Sequence, residues 1–150
     1  MKYIKERFIS NEVILILGLP GSGKTTLADK IAEGSDRDYT RYDDFDYYKA
    51  IKKMGEEDMI VSDTNLLYPT NLAHFKKSCK EKNVKLKIFY FENDIDQCIK
   101  NVENRWNKMS DKERRHNFHQ QPTNLVWHIN DFSKKYEIPS GAYPIPVYKI

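Results

Sequence analysis

Residues 18–25 read Gly-Leu-Pro-Gly-Ser-Gly-Lys-Thr and follow directly on Val13-Ile14-Leu15-Ile16-Leu17. The octet fits the pattern G-x-x-x-x-G-K-[ST], which average composition would produce by chance in roughly one chain of this length in 200. Its flanks restrict it further. A continuous β-branched and leucine run is how a strand buried on both faces reads. From Lys24 onward, Leu27 and Ile31 share one helical face, and Gly34 is a suitable helix end. A strand, a glycine loop and a helix in that order form a phosphate cradle. The glycines let backbone N–H groups close around phosphate oxygens, and the helix adds its positive N-terminal end. Lys24 supplies a charge for the β- and γ-phosphates, and Thr25 a hydroxyl for magnesium. Gly18, Pro20, Gly21, Ser22, Gly23, Lys24, Thr25 and Thr26 are therefore the expected nucleotide-binding residues, with ATP and Mg2+ as the cofactors.

The rest of the chain alternates helix and strand. Spacing predicts a helix from Asp44 to Met54, with Phe45, Tyr48 and Ile51 inward and Gly55 as its stop. A short strand follows at Met59-Ile60-Val61-Ser62, then a helix from Thr70 to Lys82 with Leu72, Phe75 and Cys79 inward. Residues 84–91 alternate, with Val84, Leu86, Ile88 and Tyr90 against Lys85 and Lys87, as a strand does. A helix is predicted from Asp94 to Met109 on Ile95, Ile99, Val102 and Trp106. Residues 110–121 are polar and show no period. A last helix runs from Pro122 to Tyr136, and Val147 to Ile150 suits a terminal strand. Tyr3, Ile4, Phe8 and Ile9 suit an extra edge strand. The expected fold is an α/β P-loop NTPase three-layer sandwich, with a central, mostly parallel sheet and helices on both faces. The 150 residues fit one domain.

Composition narrows the setting. The longest apolar run, Val13 to Leu17, is far too short to span a bilayer, and the N-terminus has no apolar signal region. The mean hydropathy is −0.76. Cys79 and Cys98 lack metal-type spacing and sit at apolar helix positions, as reduced buried thiols of a cytoplasmic protein do. The net charge of +3 permits an anionic ligand without demanding one. Oligomeric state is not readable.

Two polar clusters follow the loop. Tyr42-Asp43-Asp44-Phe45-Asp46 brings three carboxylates to where the chain can return to the carboxyl edge of the sheet. Transfer of phosphoryl to a hydroxyl needs a carboxylate to accept the proton, and Asp43 is the first candidate. Asp44 serves equally as a helix cap or as part of the site, and Asp46 reads as a solvated helix residue. Ser62-Asp63-Thr64-Asn65 sits at a strand's carboxyl end, placed either to touch substrate or to make a turn. A GTP-reading Asn-Lys-x-Asp motif is absent. Asn107-Lys108-Met109-Ser110-Asp111 is one residue too long, and no strand precedes it.

These strings together resemble the kinase domain of the phage 5′-hydroxyl polynucleotide kinase family. The resemblance rests on the loop, on Tyr42-Asp43-Asp44-Phe45, on Val61-Ser62-Asp63-Thr64-Asn65-Leu66, on Cys98 to Arg105, and on Gln121-Pro122; it covers roughly residues 12–138. It implies an ATP-dependent kinase with Asp43 as general base and Lys24 and Thr25 on the nucleotide phosphates and magnesium. It also implies that Asp44, Asp63, Thr64 and Asn65 bind the acceptor, and that Arg105, from a lid over about residues 100–122, acts on the transferring phosphoryl group. The implied acceptor is the 5′-hydroxyl of DNA or RNA. Two departures stand out. Asp46 occupies a position where the family carries an arginine for the acceptor's 3′-phosphate. Residues 106–121, with Arg114, Arg115, His116 and His119, look longer than the family's lid, and read either as a solvated loop or as a basic lid closing over phosphates. A hydroxymethylpyrimidine in DNA or a small nucleotide would be alternative acceptors, and a non-catalytic nucleotide-binding module is the reading from another class.

Overall fold

The computed structural model describes residues 10–136 and 144–149. Strand β1 (Glu12–Leu17) is buried along its whole length and lies between β3 (Asp58–Val61) and β4 (Lys85–Tyr90). With β2 (Tyr39–Tyr42) at one edge, the sheet order is β2-β3-β1-β4, and all three pairings are parallel. From β1 the chain runs through helix α1 (Lys24–Glu33) to the far edge, then back through α2 (Tyr47–Lys53) to β3. Right-handed crossovers in opposite directions place α1 and α2 on opposite faces, which makes three layers. Helix α3 (Pro69–Glu81) follows a 3-10 turn at Thr64–Leu67 and leads to β4. Helices α4 (Ile95–Lys108), α5 (Asp111–His116) and α6 (Pro122–Lys135) complete the order.

The core forms where the apolar stripes meet the sheet. Val13, Leu15, Ile16, Met59, Ile60 and Val61 are fully buried, with Phe75 from α3, Phe91 after β4 and Ile129 from α6. Burying each such side chain is worth about 1.5–3 kcal/mol. Cys79 and Cys98 are buried free thiols, as expected.

Several elements depart from the sequence expectation. Tyr39–Tyr42 is a strand that the sequence reading did not assign. Helix α2 starts three residues later than Asp44, because Phe45 takes a left-handed conformation at φ 69° and Asp46 becomes the cap residue. Tyr47 and Ala50 form its buried face, and Phe45 and Tyr48 point into solvent. Residues 110–121 hold helix α5, opened by a capping box between Ser110 and Glu113, then a 3-10 turn at Phe118–Gln120. Among the described residues of the tail there is one parallel bridge, Ile145 to Phe91, in place of a strand; Val147 is buried. The proposed edge strand at Tyr3 to Ile9 lies outside the described residues. Among the described residues, no helix is long and apolar enough to cross a membrane.

Candidate active site

The carboxyl ends of β1, β2 and β3 open onto one cavity of about 400 Å3. Pro20, Gly21, Gly23, Lys24, Thr25 and Thr26 form its floor. The loop turns back on itself, with Ser22 N–H donating to Leu19 O at 3.1 Å. Gly21 has φ 83°, and a Cβ there would stand 2.7 Å from the Cys98 carbonyl oxygen of α4. Gly23 has φ 105°, and a Cβ there would meet the Tyr148 ring at 2.2 Å. Only glycine fits both positions, because the loop is strained in conformation and pressed by its neighbours. Gly18 and Ser22 do not line the cavity; the Ser22 hydroxyl is fully buried.

Gly23 caps α1 with no side-chain hydrogen bond. Among the described residues no side chain caps the first turn of α1, which suits an anion site at a helix start. Lys24 Nζ donates to Gly18 O at 3.0 Å and to Leu19 O at 3.1 Å. Burial lowers its pKa, and the charge of Asp44 opposes that shift. A half-buried ammonium hydrogen-bonded to two neutral carbonyls at the cavity floor is placed to attract phosphate.

Asp43, Asp44 and Ser62 supply the acidic wall. Ser62 Oγ donates to Asp43 Oδ1 at 3.3 Å. Asp44 Oδ1 accepts from both Thr64 N–H, at 2.8 Å, and Thr64 Oγ, at 2.9 Å. Asp44 thus braces the turn after β3 and lines the cleft; it does not cap α2, whose cap residue is Asp46. Thr64 and Asp63, expected to line an acceptor site, do not reach the cavity. Asp63 is 1% exposed. Its Oδ1 accepts from Asn65 N–H and the Asn65 amide, both at 2.9 Å, and its Oδ2 from Tyr47 N–H at 3.2 Å. This buried carboxylate, accepting three hydrogen bonds, braces two loops. Asn65 is bound up in the same turn, its carbonyl accepting from Asn71 at 2.9 Å. Asp46 pairs with Lys49 at 3.5 Å and does not line the cavity.

The remaining wall comes from α4, the turn at Phe118–Gln120 and α6. Arg105 of α4, then His119, Gln120 and Leu125, close the cavity. Burial lowers the Arg105 pKa. Arg114 is turned away from the cleft: Nε donates to Trp106 O at 3.1 Å, and its guanidinium lies 5.4 Å from the Trp106 ring centre. It fastens α5 to the end of α4. Lys112, Arg115 and His116 stay exposed.

One residue that the sequence reading did not single out joins these parts. Asn101 is 1% exposed, and its amide donates to Gly21 O at 2.8 Å and to Tyr148 O. Gln97 holds its oxygen at 2.9 Å. Tyr148 N–H donates to Ser22 O at 3.2 Å, and Lys30 Nζ sits 4.7 Å from the Tyr148 ring centre. The helix bearing Arg105, the phosphate loop and residues 144–149 are thus tied at one point. The available signal was an asparagine inside an apolar helical stripe.

The hard-oxygen donors Thr25, Asp43 and Asp44 around one cavity fit magnesium, which takes one or two protein oxygens and substrate phosphates. Among the described residues, no group of three or more His, Cys, Asp or Glu forms a larger metal cluster.

Comparison with known proteins supports the architecture. No protein-family model matches the chain, and no curated protein matches it. Among solved structures, a protein designated APE1195 superposes with a TM-score of 0.56 at 16% identity, covering 91% of this chain and 84% of the other. A gluconokinase from Sinorhizobium meliloti 1021 superposes with a TM-score of 0.53 at 11% identity, covering 91% and 82%. At such identities the likeness is one of fold: a parallel α/β sandwich built around a phosphate-binding loop.

Proposed function

We propose that this chain is an ATP-dependent, magnesium-requiring phosphotransferase that acts on an alcohol, and that its acceptor is a nucleic-acid hydroxyl, foremost a 5′-hydroxyl of DNA or RNA. The observation that carries the reading is the single cavity in which Lys24, Thr25 and Arg105 meet Asp43 and Asp44. Lys24 and the first turn of α1 bind the nucleotide phosphates. Thr25 and the acidic wall would hold magnesium, which neutralises the triphosphate when bound. Asp43 accepts the acceptor's proton. Among the described residues its carboxylate accepts one hydrogen bond, from Ser62 at 3.3 Å, which is long, whereas Asp44 Oδ1 is already taken twice by Thr64. The acceptor oxygen forms the new bond to the γ-phosphorus as the bond to the bridging oxygen breaks, and ADP leaves. Arg105 balances the charge on the transferring group.

Support for a nucleic acid comes from the exposed Lys112, Arg115 and His116 of α5, and the net charge of +3 is compatible with it. The similarity to a gluconokinase favours a second reading, a small polyol acceptor such as a sugar acid. Incubation with γ-labelled ATP and separate acceptors decides between them: 5′-hydroxyl DNA, 5′-hydroxyl RNA, hydroxymethylpyrimidine duplex and gluconate. Label on the 5′-hydroxyl strands, abolished by Lys24→Ala and reduced about 100-fold or more by Asp43→Ala, is the expected result. Label on gluconate alone overturns the nucleic-acid acceptor, and ATP binding with no transfer to any acceptor overturns catalysis.

A further inference from the structure

The acidic wall of the cleft carries a residue that neither packing nor phosphate chemistry explains. Asp43 to Asp46 make a tight turn, closed by Asp46 N–H donating to Asp43 O at 3.1 Å. Its third residue is Phe45, at φ 69°. Glycine or asparagine ordinarily holds that place, and a bulky side chain there is an outlier. Burial does not compensate, because Phe45 is 82% exposed. The residue is thus strained in its backbone and wet on its ring, one position after two cavity-lining carboxylates. Strain kept without a packing return is a feature of sites that meet a ligand.

The lid carries a counterpart. Phe118 is 67% exposed and opens the short turn whose next two residues, His119 and Gln120, line the same cavity. Each of the two segments walling the cleft therefore presents a solvated aromatic ring. The neighbour on the acidic side, Asp46, is a carboxylate, which repels phosphate. A ligand's contact at this wall is then with a neutral face of the ligand and not with its phosphates.

We infer that Phe45 is a specificity-determining residue that stacks on a nucleobase of the acceptor, holding the base-bearing end so that its hydroxyl points at Asp43. The inference rests on the proposed nucleic-acid acceptor for the base and for the direction of its hydroxyl, and on exposure and backbone geometry for the free ring. A base offers a flat π-surface whatever its identity, and one aromatic partner contributes a large share of single-strand binding. A ring-free polyol gains little from a phenyl face, since its hydroxyls need polar partners.

The test uses the full chain and a 5′-hydroxyl tetradeoxynucleotide, with binding measured by calorimetry and turnover measured separately. Phe45→Gly removes the ring and suits the turn; Phe45→Trp keeps a stacking face. Loss of one stacked base corresponds to a roughly tenfold weaker Kd in Phe45→Gly. KM for the oligonucleotide rises by the same factor, kcat stays within about twofold, and ATP affinity is unchanged. Phe45→Trp binds like the native chain, and neither variant melts lower. Should Phe45→Gly bind the oligonucleotide as tightly as the native chain, the stacking role is refuted. A change in its sedimentation without a change in affinity also refutes it, since the ring then serves contact between protein copies. If oligonucleotide binding weakens while no acceptor is ever phosphorylated, the phosphotransfer reading falls and the stacking face stands.

Discussion

Replacing Asn101 by leucine tests the tie between the phosphate loop and the lid helix. Leucine shares the branching of asparagine but puts bulkier methyls in place of the amide oxygen and nitrogen, so the substitution leaves no cavity, removes the polar contacts and crowds the two carbonyls. Two acceptors lose their donor, Gly21 O at 2.8 Å and Tyr148 O, at a position that is 1% exposed. An acceptor left unpaired inside a protein costs about 1–3 kcal/mol. The better burial of leucine returns about 1 kcal/mol of that. The net loss is about 1–5 kcal/mol, which at about 2–4 °C per kcal/mol lowers the melting temperature by roughly 2–20 °C for a domain of this size. Gly21 sits at φ 83°, and its turn keeps its shape partly through that anchored carbonyl. ATP affinity is therefore expected to fall about tenfold, a loss of about 1.4 kcal/mol. Denaturant melts followed by circular dichroism, with calorimetric titration of ATP, measure both quantities. Lys100→Ala, one residue away on the exposed face, is the control and stays within about 0.5 kcal/mol of the native chain. An Asn101→Leu variant as stable as the native chain, with native ATP affinity, would show that the tie holds nothing.

Gly23→Ala sets a Cβ 2.2 Å from the Tyr148 ring in addition to straining φ 105°. Adding Tyr148→Ala relieves the clash but leaves backbone strain of about 1–2 kcal/mol. In a double-mutant cycle on unfolding free energy the pair costs less than the sum of the singles by about 1 kcal/mol or more, and strict additivity contradicts the contact. The two thiols predict an alkaline limit. Burial pushes Cys79 and Cys98 from 9.0 up to about 11 each, so the folded state holds protons that the unfolded chain releases. Their contribution is complete below pH 9 and is lost as pH rises toward 11, at about 2–3 kcal/mol for each thiol. Melts across that window should show the decline, and a Cys79→Ala/Cys98→Ala variant should show a flatter one; equal slopes reject the assignment.

What could be read from the sequence depended on how local its cause was. The phosphate loop was legible because its chemistry is written in consecutive residues, and β1 because a strand buried on both faces is apolar throughout. Asp43 and Arg105 line one cavity with Lys24, whereas Thr64, expected to converge with them, does not. Strand β2 was hidden because Tyr39-Thr40-Arg41-Tyr42 is half polar and lies at the edge of the sheet. Helix α5 buries no residue, so no apolar period announces it; its signal was the cap pair, Ser110 and Glu113, three positions apart. Asp63, Thr64 and Asn65 read as acceptor residues because polar side chains at a strand end can touch substrate, but Asp and Asn there also satisfy local donors, and in the fold these residues hold the turn after β3 together. Phe45 counted as an inward helix residue on spacing, which a left-handed backbone overrides. Asn101 was out of reach because its partners lie far away in the chain.

That distance bears on how the chain folds. Asn101 joins partners 80 residues before it and 47 after it. Closing loops of that length is an entropic cost that local helices do not meet, so such contacts form late. The phosphate loop can take its strand and helix early, but the anchored shape that grips a nucleotide waits until residues 144–149 have docked. Nucleotide affinity then reports completed folding: a partly folded chain exposes the loop without the grip, and ATP in the medium draws the equilibrium toward the finished state by mass action.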